Sequence, residues 1–172
     1  MELTTCERYP VGTVILANGV GLGTWAVGAY VMSGFGILWL IFYLGYCLWI
    51  EWRLLRHSCG NCYYYGRRCA FGKGELSALL FRRGNPQVFT DQRFTWKDVV
   101  PDFLVSLIPL TGGLALLIMH FDWRLVLALA AILALSSYGN ALVRGKLACS
   151  RCKQRDIGCP AATLFFGKQG LS

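Results

Sequence analysis

Histidine and acid are scarce in this sequence: 2 His and 9 Asp plus Glu stand against 17 Lys plus Arg in 172 residues. His57 and His120 form no pair within an apolar run, which removes a bis-histidine haem held between spans. No carboxylate pair lies inside an apolar run either, so the buried acid chemistry of pumps has no residues to use. Glu51 and Asp102 sit at run ends, and Asp122 in a short loop. There is no Walker loop, dinucleotide fingerprint, HExxH helix or Gly-x-Ser-x-Gly elbow. The sequence therefore assigns the chain no hydrolytic activity and leaves open whether it is an enzyme.

What is abundant is apolar surface. Apolar residues make up 55% of the chain, and the mean hydropathy is +0.47. Four continuous apolar runs approach the length that crosses a bilayer as a helix: Val11–Met32, Gly34–Ile50, Phe103–Met119 and Leu125–Val143. The first is too long for the apolar part of a cleaved leader, and only Ser33-Gly34 separates it from the second, so it reads as a retained span.

The basic residues orient these spans. Nine fall between residues 51 and 98, six in the segment from Arg144 to Lys168, and Arg8 precedes the first run. Arg124 alone lies in a loop on the other side. The positive-inside rule then predicts an integral membrane protein with both termini and the central loop in the cytoplasm. The net charge of +8 is read as a topology signal with contact to anionic headgroups, and not as nucleic-acid binding.

Two cysteine triplets carry the chemistry. Cys59, Cys62 and Cys69 read C-x2-C-x6-C, and Cys149, Cys152 and Cys159 repeat the pattern with every member shifted by 90 residues. Each triplet follows two apolar runs. The expected fold class is thus an all-α integral membrane protein: four transmembrane helices as two tandem hairpins, each followed by a cytosolic cysteine knuckle and a short amphipathic helix. The parts are a cytosolic tail (1–10), a first repeat (11–84), a linker (85–98) and a second repeat (99–172). Ala78–Phe81 resembles Ala162–Phe165, which extends the repeat past the cysteines. The amphipathic helices are expected over Gly74–Arg83, with Leu76, Leu79, Leu80 and Phe81 against lipid, and over Ala161–Phe166. Parallel repeats of this kind imply a pseudo-twofold axis along the membrane normal, which would bring the triplets together.

Smaller signals fit a span assignment. Gly19-x3-Gly23 allows close helix approach. Asn18 and Asn140 are expected to bond across helices or to reach headgroups. Trp49, Trp52 and Trp96, with Trp123 at the far end, make an interfacial belt.

On the reducing side of a membrane, cysteines favour metal or thiol chemistry over lasting disulfides. A C-x2-C turn places two thiolates on one ion. Three ligand schemes are compatible with the spacing. In one, each triplet holds its own centre with a fourth ligand; His57 offers it to the first, while the matching position in the second is Leu147, leaving Asp156 or an external donor. In another, Cys59, Cys62, Cys149 and Cys152 share one site. In the third, two intertwined sites draw on both triplets and need His57 with a further donor. Cys6 and Cys47 stand apart from all three. The dipeptide Cys159-Pro160 resembles the end of the bacterial ferredoxin run, although the rest of that run is absent. Arg67, Arg68, Arg151, Lys153 and Arg155 would stabilise an anionic centre and dock an acidic partner.

The metal-ligand set is therefore Cys59, Cys62, Cys69, Cys149, Cys152, Cys159 and His57, holding an iron–sulfur cluster or, as the alternative, zinc. The expected role is electron transfer at the cytoplasmic face, alone or as a subunit of a redox complex. A zinc-stiffened scaffold is the second reading. A thiol oxidoreductase or soft-metal transporter is the third. Expected partners are the bilayer and a protein on the cytoplasmic face; the sequence leaves open whether the chain forms an oligomer.

Overall fold

The computed structural model describes residues 6–91 and 95–159, and the described chain is helical throughout. Helix α1 covers Val11–Ser33, α2 Ile37–His57, α3 Lys73–Leu80 and α4 Pro86–Asp91. Helix α5 covers Trp96–Met119, α6 Trp123–Ala134 and α7 Lys153–Gly158. Beyond α6 the winding widens to π geometry over Leu135–Gly139 and Ala141–Ala148. Single 3₁₀ turns occupy Cys59–Asn61 and Cys149–Arg151. Among the described residues the one β-type pairing is an isolated parallel bridge between Cys6 and Cys152.

Four helical stretches are long and apolar enough to cross a membrane: Val11–Ser33, Ile37–Asn61, Lys97–Met119 and Trp123–Arg151. The shortest have 23 residues, about 34 Å at the α-helical rise, against a hydrocarbon layer of about 30 Å. Large apolar side chains stand exposed along them, among them Phe42, Leu48, Phe103 and Ile118. In water such continuous apolar surface would be unfavourable.

The helix bounds differ from the hydropathy runs at their polar ends. Helix α2 runs on to His57 through Glu51, Arg53 and Arg56, and α5 starts at Trp96, well before Phe103. A charged side chain ends an apolar run without ending the backbone ladder, because its head can reach water while its peptide stays bonded. Chain punctuation is local. Pro10 offers its carbonyl to the N–H groups of Thr13 and Val14 at the start of α1. Gly36 at φ +107° follows α1, a conformation that L side chains rarely adopt. Asp122 caps α6 by accepting from the Arg124 N–H at 2.9 Å.

The chain divides into two compact units: Met1–Ala17, Trp52–Trp96 and Leu142–Ser172 form one, which contains both triplets, and Asn18–Glu51 with Lys97–Ala141 form the other. In the second, helical unit, Met32, Tyr43, Cys47, Ile50 and Val105 make one buried cluster, and Val31, Ala128 and Ile132 another. The close approach expected at Gly19-x3-Gly23 falls instead at other glycines, among them Gly28, Gly113 and Gly139. A Cβ on Gly28 would run into the Tyr43 phenol, whereas nothing lies within 4 Å of one on Gly19, and only Leu135 comes near Gly23. Asn140 donates to the Ser136 carbonyl of its own helix at 3.1 Å, so that amide serves local winding and not a cross-helix bond.

Prolines shape α5. Pro101 and Pro109 both lie inside it. Proline lacks an N–H, so the carbonyl four residues before Pro109, that of Val105, loses its helical donor. The Tyr43 hydroxyl donates to the Val105 carbonyl at 3.0 Å from a fully buried position. Tyr46 donates to the Pro101 carbonyl at 2.8 Å. The Tyr43 hydroxyl of α2 thus reaches the carbonyl that Pro109 leaves without its helical donor.

Candidate functional site

The triplets adopt the same local turn. Ser58 and Ala148, which precede the 3₁₀ turns, sit at φ −99°, ψ −53° and φ −93°, ψ −66°. The Cys62 N–H donates to the Cys59 carbonyl at 3.3 Å, and Cys152 to Cys149 at 3.4 Å. One turn on, Tyr65 donates to Cys62 and Arg155 to Cys152, both at 3.0 Å. Each of these bonds recurs at an offset of 90 residues, the offset of the cysteines themselves.

The knuckles then lock to each other by a reciprocal exchange. The Gln154 Oε1 accepts from the Tyr63 N–H at 2.7 Å. The Tyr64 hydroxyl accepts from the Lys153 N–H at 3.1 Å. Tyr63 and Tyr64 occupy the positions of Lys153 and Gln154 in the other triplet, so each knuckle presents a side chain to the same backbone amide of its counterpart. Gln154 and Tyr64 are 4% and 2% exposed, and both exchanges are part-buried. Gln154 Oε1 also lies 3.6 Å from the Cys62 sulfur as an acceptor for its thiol, and its amide donates to the Gly158 carbonyl at 3.1 Å.

The N-terminal segment straps this pair. The Cys6 N–H donates to the Arg151 carbonyl, and the Tyr9 N–H to that of Arg68, each at 3.0 Å. The Tyr9 hydroxyl donates to the Ala148 carbonyl at 2.6 Å, and the Tyr64 hydroxyl to that of Cys6 at 2.5 Å. Glu7 pairs with Lys153 at 3.1 Å. Tyr9, Tyr64, Ala70 and Ala148 form a buried cluster, against which Cys6, Cys62, Cys69 and Cys152 all pack.

No disulfide joins any of the eight cysteines. Burial pushes the Cys62 thiol up to about 11; the Tyr64 backbone pulls it back, and the Cys69 and Cys159 thiols push it further. Burial takes Cys152 up to about 12, opposed by the backbone at Gln154 and Arg155 and reinforced by Cys62 and Cys159. These four thiols are thus near enough to resist sharing negative charge, and at neutral pH Cys62 and Cys152 hold their protons, which makes them poor nucleophiles. Cys149 lies within electrostatic reach of Cys159, Arg144 and Arg155. Among the described residues, no three His, Cys, Asp or Glu side chains are gathered into a group that could hold a metal ion.

His57 closes α2 with its side chain exposed, and its carbonyl accepts from the Asn61 amide at 2.9 Å. Asp156 is exposed on α7. Cationic groups gather on two rings: Arg67 and Lys153 on Tyr63, at 5.0 and 5.4 Å, and Arg144 and Lys73 on Phe71, at 5.7 and 5.8 Å. Arg68 pairs with Glu75 at 3.6 Å.

Helix α3 is shorter than the expected Gly74–Arg83. It spans Lys73–Leu80 and buries Gly74 and Ser77 while Leu76, Leu79 and Leu80 stay exposed. A Cβ on Gly74 would collide with the Tyr64 and Arg67 carbonyls, so the first knuckle lies directly on this glycine. The Ser77 hydroxyl donates to the Leu55 carbonyl at 3.2 Å. Phe81 leaves the helix in extended form and meets Trp52 edge-on at 4.9 Å instead of facing outward with the leucines. Trp49 and Trp123 are exposed. The segment Ala161–Phe166, Pro160 and the side chain of Trp96 lie outside the described residues.

Cys6 and Gln154 are the site residues that the sequence did not single out, whereas the aromatic run Tyr63–Tyr65 is readable from the sequence as a partly buried shell or as interface packing. The chain matches no protein-family model, no curated protein and no solved structure.

Proposed function

We propose that this chain is a membrane-anchored metal–thiolate protein. Its four apolar helices cross the bilayer as two tandem hairpins, and the two knuckles jointly hold metal at the cytoplasmic face. The observation that carries this reading is the docking of the two triplets in one compact unit, where the Tyr64 and Gln154 exchange brings cysteines of both repeats into one cluster. Burial raises the cost of an uncompensated thiolate there, and a bound cation is the ordinary remedy for buried negative charge. The ligands come from Cys59, Cys62, Cys69, Cys149, Cys152 and Cys159, whose side chains close inward on binding. His57, exposed at its helix end, stays a secondary donor.

An iron–sulfur centre serving electron transfer is the first form of this reading. The cations on Tyr63 and Phe71 would raise its potential and receive an acidic donor protein. Structural zinc is the second, favoured by the closed, fully hydrogen-bonded contact between the knuckles, which suits a rigid scaffold.

The test is metal and acid-labile sulfide analysis, with a visible spectrum, on full-length protein purified anaerobically in detergent. Iron with sulfide and a band bleached by dithionite is the result expected; colourless protein with zinc selects the scaffold. Cys62→Ser and Cys152→Ser should each lower the metal content. Full metal content in both variants would overturn the shared centre.

A further inference from the structure

We propose that Cys6 and Cys152 are the site of a reversible disulfide, which turns the N-terminal strap from a hydrogen-bonded clasp into a covalent one. The oxidant is a low-molecular-weight disulfide such as oxidised glutathione. The inference goes beyond the metal–thiolate reading and does not depend on it, because it needs two thiols and no ion.

Among the described residues, Cys6 and Cys152 make the one β-type pairing, and it is parallel. Residues opposed in a parallel pairing project their side chains to the same face, with their backbones about 4.8 Å apart. The Cα atoms of a disulfide usually stand about 4.4–6.8 Å apart. The backbone therefore already holds the separation that the bond needs. Both side chains pack against the cluster of Tyr9, Tyr64, Ala70 and Ala148, and both are free thiols.

The surroundings keep the pair in register. The Cys6 N–H donates to the carbonyl of Arg151, immediately before Cys152, at 3.0 Å. The Tyr64 hydroxyl accepts from the Lys153 N–H at 3.1 Å and donates to the Cys6 carbonyl at 2.5 Å. A side chain of the first knuckle thus ties the residue after Cys152 to Cys6 itself. Downstream, the Tyr9 N–H meets the Arg68 carbonyl and the Tyr9 hydroxyl meets that of Ala148. The neighbouring Cys62 thiol is directed elsewhere, to the Gln154 Oε1 at 3.6 Å. A link inside a C-x2-C turn, Cys59–Cys62 or Cys149–Cys152, is the competing bond.

The chemistry is thiol–disulfide exchange. One thiol of the pair, as thiolate, attacks the small disulfide, forming a mixed disulfide and releasing one small thiol. The second, as thiolate, attacks the protein sulfur of that mixed disulfide and expels the other small thiol. The cysteines lose two electrons and two protons, and the small disulfide gains them as two thiols. On the reducing side that the charge pattern predicts, such bonds are transient and redox-sensing. Closure joins points near opposite ends of the chain, so it restricts the unfolded state strongly and fixes the strap across both knuckles.

The experiment uses full-length protein in detergent, first treated with reductant and chelator so that no metal occupies Cys152. It is then equilibrated at a series of oxidised-to-reduced glutathione ratios, alkylated, and mapped by mass spectrometry without reduction. The expected result is that Cys6–Cys152 is the most abundant protein disulfide and disappears on return to the reduced buffer. Its formation should raise the melting temperature by about 5 °C or more. Cys6→Ser should melt like reduced wild type and show no such rise on oxidation. Absence of the Cys6–Cys152 link in wild type at the most oxidising ratio overturns the proposal, as does a dominant Cys59–Cys62 or Cys149–Cys152 link. A Cys6–Cys152 link that leaves the melting temperature unchanged overturns its role as a clasp. The mapping is read on wild type, so it decides whether or not the variant folds.

Discussion

At the residue scale, the cysteines were legible, and of their supports only the Tyr63–Tyr65 run was. A spacing repeated at a fixed offset is visible in one dimension, because identical residue types mark both copies. Tyr64 and Gln154 do the same job with different chemistry, a phenol in one copy and an amide in the other, so no alignment of the repeats by residue type reveals it. Cys6 was hidden for a related reason: its neighbour Cys152 lies near the opposite end of the chain, and the bond that seats it comes from a backbone carbonyl. The reciprocal exchange makes a measurable claim. Tyr64→Phe leaves the Lys153 N–H and the Cys6 carbonyl without their hydroxyl partner, and Gln154→Leu does the same to the Tyr63 N–H. Leaving a buried backbone group unsatisfied costs about 1–3 kcal/mol, so each variant should unfold at lower temperature in detergent by that equivalent. Because both clamp one contact, the double variant should lose less than the sum of the two. Strict additivity would show that the two hydrogen bonds do not share an interface.

At the element scale, hydropathy located the four long helices and misjudged where they stop. An apolar run reports the part of a helix suited to hydrocarbon, while the backbone ladder continues through Arg53, Arg56 and Lys97 into polar surroundings. The small-residue motif misled for a different reason. Gly19-x3-Gly23 has the right spacing, but a spacing carries no information about which face meets a neighbour; Gly28 does, because Tyr43 lies against it. The same tyrosine serves the break in α5. Pro109 deprives the Val105 carbonyl of its helical N–H, and Tyr43 replaces it. Tyr43→Phe should therefore destabilise the helical unit by about 1–2 kcal/mol, read from thermal melts in detergent. Pro109→Ala restores an N–H for the same carbonyl, so it should reduce the cost of Tyr43→Phe when the two are combined. If Tyr43→Phe costs the same with and without Pro109, the hydroxyl is not acting on the proline break.

At the scale of the whole molecule, charge decides what chemistry the thiols face. Every basic residue except Arg124 flanks the apolar runs on one predicted side, and both cysteine triplets fall on that side as well. Spans so flanked should insert with the N-terminus, the loop around Asn85 and the C-terminus in the cytoplasm, and with the turn near His120 across the membrane. Epitopes at the N-terminus and after His120, probed in sealed vesicles of known orientation, should report opposite sides. Epitopes on the same side would remove the four-span arrangement, and with it the argument that the triplets share a face. The converse orientation, with four spans intact and the N-terminal epitope outside, would be more instructive. Six matched cysteines would then face an oxidising compartment, where thiols of this number are normally paired. On the reducing side, by contrast, such thiols need no cross-link. There a buried cluster of thiols can stay reduced until a metal recruits it, which is why orientation and metal content test the same proposal from two directions.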